Sequence, residues 1–186
     1  METVTFMRMA DGTREDYAFL DRLWTAHKQA HLSPNVLGLL KAMRGPMLGY
    51  KVDRYEHSLQ TATRALRDGA DEETVVCALL HDIGDTIAPD NHSAIAAAVL
   101  RPYVSDRNHW IILHHGIFQG YYFWHHLDGD RNARERYRGH EHFQACVDFC
   151  ERWDQTSFDP DYDTMPLEAF EPMAHRLFAR APRTFV

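Results

Sequence analysis

The stretch ALLHDIGD, residues 78–85, closes a run, EETVVCALL at 72–80, that is apolar nearly all round. A helix hydrophobic on every face is a buried one. Asp71 stands where an N-cap belongs, and Glu72 and Glu73 suit the positive end of the dipole. The pattern predicts a helix over 72–83. At its end His81 and Asp82 sit side by side. One reading is a helix C-terminus, where His81 meets the dipole and Asp82 begins a turn. But an adjacent His-Asp pair in an apolar helix is costly unless both groups are compensated. A metal ion compensates both, since it takes neutral imidazole and ionised carboxylate. His81 and Asp82 are therefore the first candidate ligands.

Outward from this helix the chain reads as almost wholly helical. Thr13 is placed to cap a helix over 14–31, with Tyr17, Leu20 and Trp24 at helical spacing. Ser33-Pro34 has the form of an N-cap with proline at the first helical position, opening a second helix that Gly45-Pro46 ends. Asp53 and Glu56 have capping-box spacing and start a helix to about residue 68, closed by Gly69. Asp90 is placed to cap 91–101, and Ser105 to cap 106–115, which Gly116 stops. Residues 117–140 show no clean period and read as a long loop with short helical turns. Residues 141–155 read as a helix, 158–165 as irregular, and Pro166 begins a last segment interrupted at Pro172. Only residues 4–7 alternate like a short strand. With no repeats or linker, the expectation is one all-α domain over residues 1–186. Its core spans about 50–160, with N-terminal helices over 14–42 and a C-terminal segment, 166–180, packed on it.

Further polar residues fall on apolar faces. His92 shares a face with Ile95, Ala96 and Val99. Of the pair His114-His115, His115 lies between Ile111 and Ile112 around the helix and points inward, while His114 falls toward an edge. Asp154 follows Phe143, Val147 and Cys150 on the apolar stripe of its helix. An aspartate there is rarely buried unless paired or coordinated. His57 is different: its helix has the apolar stripe Tyr55, Leu59, Ala62 and Leu66, and His57 falls nearly opposite. Periodicity alone leaves it as either a solvated histidine or a ligand.

The 186 residues carry 20 Lys plus Arg against 27 Asp plus Glu, for a formal charge of −7. That balance argues against a nucleic-acid binder working by phosphate neutralisation. No apolar run approaches the length of a membrane helix, and residues 1–10 lack the apolar core of a signal peptide. Three cysteines without a CxxC pair do not form a disulfide framework, and a reducing cytoplasm is expected.

His57, then His81-Asp82, then Asp154 resembles the pattern of the HD-domain superfamily, an all-helical fold, over about residues 50–160. The added His92 and His115 resemble its six-ligand, dinuclear branch. That branch contains mixed-valent diiron oxygenases of the phosphonate-oxygenase and myo-inositol-oxygenase type, and also dinuclear phosphohydrolases. YEHSLQTA at 55–62 and LHDIG at 80–84 look most like the phosphonate oxygenases. The resemblance implies six ligands, His57, His81, Asp82, His92, His115 and Asp154, with Asp82 as the bridge. It implies two iron ions, Fe(II) and Fe(III), other divalent metals being alternatives. It implies a small polar substrate whose C–C or C–P bond is cleaved with O₂, and no membrane or nucleic-acid partner. The oligomeric state is left open. The alternative is a metal-dependent phosphohydrolase of a phosphomonoester or nucleotide.

The chain also departs from these relatives. Where many HD phosphohydrolases carry a lysine three residues after the His-Asp pair, this chain has Asp85, which would repel a phosphoester. Where the phosphonate oxygenases carry a lysine four residues after the last histidine, it has Gln119, and Glu151 replaces a basic residue. Arg152 and the arginines at 131, 134, 136 and 138 are either a replacement clamp or a solvated run. Tyr50, seven residues before His57 and after Gly49, is expected either over the metals as a cover or packed in the core. Gln119 and Tyr121 to Trp124 are candidates for the pocket wall.

Overall fold

The computed structural model describes residues 2–183. Met1 and residues 184–186, which the reading of the N-terminus and the single-domain assignment include, lie outside the described residues. At four helix starts the local signals hold. The Thr13 hydroxyl accepts from the Asp16 amide, and the Asp16 carboxylate accepts from the Thr13 amide, a complete capping box for α1 (Arg14–Ala42). The Asp53, Asp71 and Ser105 side chains each accept an amide hydrogen bond at the starts of α2 (Arg54–Arg67), α3 (Glu72–Leu80) and α5 (Asp106–Phe123). Gly69, at φ +79°, ends α2. Its amide reaches Leu66 O while the Ala70 amide reaches Ala65 O. This is the paired closure that a left-handed residue allows.

The helices form one all-α domain, with no strand among the described residues. α2 and α3 pair as a hairpin across the four-residue turn 68–71. α4 (His92–Leu100) packs on α5, and α5 packs on α6 (Phe143–Phe149) and the π-helical turn Cys150–Asp154 that follows it. α7 (Glu171–Phe178) lies against α1 and α3. The core is continuous, and α3 is buried from Thr74 to Leu80. No described helix is long and apolar enough to cross a membrane.

Several boundaries differ from the sequence reading. The two N-terminal helices are one, with Pro34 inside it. An interior proline costs about 3 kcal/mol, which burial of Val36, Leu37 and Leu40 on the following turns offsets. Only this second half of α1 is buried on the domain. α3 stops at Leu80, and residues 81–87 form successive turns rather than three more helical residues. Asp90 does not cap α4: it lies in the 3-10 turn Pro89–Asn91 that feeds it. Gly116 does not end α5, which runs on to Phe123 and absorbs the start of the expected loop. A Cβ at Gly116 would sit 3.0 Å from Ser93 Oγ, so this glycine serves close approach of α4. Pro172 lies in the first turn of α7 rather than interrupting a helix. Residues 4–7 form no strand.

α2 is the element that sequence periodicity describes least well. His57, Ser58, Gln60, Thr61 and Thr63 are all buried. The cause is the irregular segment after the π turn, which lies across the polar face of α2 and supplies backbone partners. Gln60 Nε2 donates to Asp159 O at 2.7 Å, the Asp159 amide donates to Gln60 Oε1, and the Met165 amide donates to Thr63 Oγ1. Gln60 and Thr63 are buried at low cost when so satisfied, whereas Ser58 Oγ is buried without a partner.

Candidate metal centre

Four elements deliver histidines to one point beneath the end of α3. His57 comes from the first turns of α2, His81 from the residue that caps α3, His92 from the first position of α4, and His115 from the middle of α5. Every one of these rings places its Nδ1 on a backbone carbonyl: Ser157 O at 2.9 Å, Ala78 O at 2.8 Å, Pro89 O at 2.9 Å and Ile112 O at 2.7 Å, respectively. A carbonyl only accepts, so each Nδ1 carries the hydrogen and Nε2 is left as the atom that would coordinate once the ring is neutral. This is how a ring is held for coordination through Nε2.

The Nε2 atoms then face one another and two carboxylates. His57 Nε2 is 3.2 Å from His81 Nε2 and 3.2 Å from Asp154 Oδ1. Asp82 divides its oxygens. Oδ2 lies 3.2 Å from His81 Nε2 and 3.4 Å from His57 Nε2, whereas Oδ1 lies 3.1 Å from His115 Nε2 and 3.5 Å from His92 Nε2. Asp154 Oδ2 is buried without any hydrogen-bond partner. Acceptors packed this closely away from water are stable only around positive charge. Three groups of potential ligands result: His57, His81 and Asp154; His81, Asp82 and His115; and Asp82, Asp85 and His92. Nitrogen and carboxylate donors without a thiolate suit iron, manganese, cobalt, nickel or zinc.

The electrostatics carry the same signature. Burial opposes a charge on His57, but hydrogen bonds and attraction from Asp154 and Asp82 outweigh it and push its pKa up to about 9. His81 is raised against the same burial by Asp82. Burial likewise opposes the Asp82 and Asp154 charges, yet the neighbouring cations and ring hydrogen bonds hold both carboxyls below their ordinary value, Asp82 by far the more. The cluster attracts cations, whether protons or metals.

The structure brings all six sequence-predicted ligand residues together. It also adds one that the sequence reading passed over. Arg54 donates through Nη2 to Asp82 Oδ2 at 2.6 Å and through Nε to Asp85 Oδ2 at 2.6 Å. Asp85, read from sequence as a repulsive group, is therefore paired, and it also lies 3.4 Å from His92 Nδ1. Arg54 precedes His57 by three residues, which puts both on one helical face. That spacing was the available signal.

Beside the cluster opens a cavity of about 300 Å³. Asp82, His92, His115, Asp154 and Arg54 line its floor, and Tyr50, Phe158, Tyr122 and Phe123 its apolar walls. Gln119 lines it too, donating through Nε2 to Asp154 Oδ1 at 3.1 Å. Tyr50 is not packed in the core. It is 54% exposed at the cavity edge, stacked at 5.0 Å on Phe158, which in turn stacks at 4.4 Å on His57. His114 turns away, with Nδ1 on Trp110 O and its ring stacked on Trp110. The arginines suggested as a clamp do not line the cavity. Arg152 pairs with Asp68 at 2.9 Å, Arg131 and Arg134 lie over the Tyr121 ring, and Arg138 pairs with Glu135. The π turn that carries Asp154 is itself pinned to the end of α2, where Trp153 Nε1 donates to Asp68.

Residues 54–154, which contain all six candidate ligands and Arg54, match the HD domain family. A search of curated proteins finds no match to the chain.

Proposed function

The chain belongs to the HD domain family, whose members are commonly metal-dependent enzymes, and we propose that it is a dinuclear HD-domain oxygenase acting on a small polar substrate. The choice of oxygenase rests on the resemblance carried by residues 55–62 and 80–84, while the observation that supports a dinuclear site is the division of Asp82. One oxygen faces His57 and His81, the other faces His92 and His115, as a carboxylate bridging two ions requires. His57, His81 and Asp154 would hold one ion, and His92 and His115 the other. Two irons in this donor set would supply substrate chelation and redox activation of O₂ for C–C or C–P cleavage.

The protein's own part is positional. Four backbone carbonyls keep the Nδ1 protons in place, so the rings cannot rotate or change tautomer without losing a bond. Arg54 fixes the Asp82 carboxylate from the cavity side, and Gln119 fixes Asp154. Phe158, Tyr122 and Phe123 give the cavity an apolar lining, and about 300 Å³ limits the substrate to a small molecule. Tyr50, at the edge with its ring stacked on Phe158 and its amide on Met47 O, is the cover that a substrate would displace.

A second reading, hydrolysis of a phosphomonoester, is favoured by Arg54. Its guanidinium sits on the cavity floor and neutralises Asp85, which removes the main electrostatic objection to an anionic phosphate. Metal analysis with electron paramagnetic resonance after partial oxidation separates the two. The oxygenase is expected to hold two irons per chain and to give a coupled Fe(II)/Fe(III) signal. A mononuclear or zinc-only protein that releases phosphate from p-nitrophenyl phosphate would overturn it.

A further inference from the structure

α1 is built in two halves that face opposite ways. Its buried residues, Ser33, Val36, Leu37 and Leu40, all fall in the second half and face the domain. The first half carries a different apolar stripe: Tyr17, Leu20, Leu23, Trp24, His27 and His31, recurring at three- and four-residue intervals. At 100° per residue this stripe is centred roughly 150° away from the buried face. It therefore points away from the chain's own core. Trp24 is 68% exposed and Leu23 49%. At the outer end, Phe6 folds back on Tyr17, with ring centroids 5.7 Å apart, and extends the apolar surface.

We propose that this stripe is the interface of a homodimer in which the first halves of two α1 helices pair antiparallel. Charge selects a second copy of the chain as the occupant. Asp16 and Asp21 lie on or beside the stripe in its first turns and Lys28 beside it in its last, whereas Glu15 and Arg22 fall on the opposite side of the helix. An antiparallel copy sets the acidic end of each stripe against the basic end of the other and opposes the two helix dipoles. Asp21 and Lys28 are seven residues apart, so they lie on the same flank of the stripe. Antiparallel pairing joins Asp21 to Lys28 of the partner subunit, and the reciprocal pair forms by symmetry. An all-acidic or all-basic partner would satisfy only half of this pattern. The area is also of the right order: a stable interface buries about 1,200 Å² or more in total. Trp24 and Leu23 offer most of this area in each copy, Tyr17 and Leu20 are already partly covered, and the exposed side chains flanking the stripe supply the remainder.

Sedimentation equilibrium of the full chain tests this. A species of twice the 21.6 kDa chain mass is expected. Trp24→Glu, at an exposed site remote from the metal cluster, is expected to give a monomer with unchanged helical content and unchanged metal binding. Asp21→Lys is expected to weaken the dimer at least about tenfold, equivalent to about 1.4 kcal/mol, and the double variant D21K/K28D to restore it. A wild-type monomer at every concentration, or a dimer that survives Trp24→Glu, would overturn the interface. Failure of the double variant to restore association would overturn the antiparallel pairing.

Discussion

Substituting Gly84 by alanine is a perturbation aimed at one half of the proposed dinuclear centre. Gly84 stands two residues after Asp82, and its backbone needs no special conformation. Its constraint is space. A Cβ built there lies 2.6 Å from His92 Cα and 2.6 Å from His92 O, where ordinary contact begins at 3.4 Å. Both opposing atoms are backbone, so no side chain can swing aside. The first turn of α4 must retreat by about 0.8 Å, and His92 goes with it. Metal–ligand distances tolerate about 0.2 Å, so His92 leaves coordination reach. His57, His81 and Asp154 lie on other elements and stay. If the site holds the two ions proposed for it, Gly84→Ala is therefore expected to reduce bound metal from two per chain to about one. Overpacking of this kind costs about 1–3 kcal/mol; for a chain of this size, about 2 kcal/mol lowers the melting temperature by about 4–8 °C. Gly116→Ala is the control, because its new Cβ meets side-chain atoms alone: the Ser93 hydroxyl at 3.0 Å, which can rotate away, and the His92 ring at 3.7 Å, an ordinary contact. The assay is elemental analysis of the purified chain beside a melting curve. Two ions retained by Gly84→Ala, with unchanged melting, would refute the placement of His92 in a second metal position.

Two further outcomes follow from the same cluster. Chelation is expected to lower the melting temperature of the wild-type chain, since a metal that binds only the folded state adds stability by mass action. Asp82→Ala should bind no metal pair, and its melting should not respond to chelator; a wild-type chain equally indifferent to chelator would show that the metal is not integral to the fold. In the metal-free protein, His57 has its pKa raised from 6.5 to about 9, because Asp154 and Asp82 outweigh burial. A raised folded-state pKa stabilises fully below the unfolded value and is lost as pH rises through the folded one. Metal-free stability should thus fall by about 3 kcal/mol between pH 6.5 and 9, while metal affinity rises over the same window as the proton leaves. Melting curves across that range check it, and a flat metal-free profile would contradict the assigned contacts.

The sequence by itself determined the helical architecture and most helix starts, because caps at Thr13, Asp53, Asp71 and Ser105 act within four residues. It also pointed to His81-Asp82, because a charged pair ending an apolar helix has few inexpensive explanations. Helix ends were less legible. Pro34 and Gly116 are punctuation in the chain, but packing of α1 on the domain and of α4 on α5 carries both helices through. His57 lay beyond reach of periodicity for a similar reason. Its face of α2 is polar, and it is buried only because residues 156–166 return across it with backbone partners for Gln60 and Thr63. Asp85 was visible as a charge, but its neutralisation by Arg54 spans 31 residues and exists only once α2 and the turn after α3 meet. Tertiary structure likewise decided that the Trp24 stripe faces outward, since one helix carries two apolar faces and only packing selects which of them the domain covers. Local chemistry is written in neighbours four residues apart; which distant charges and faces are brought together is settled by the fold.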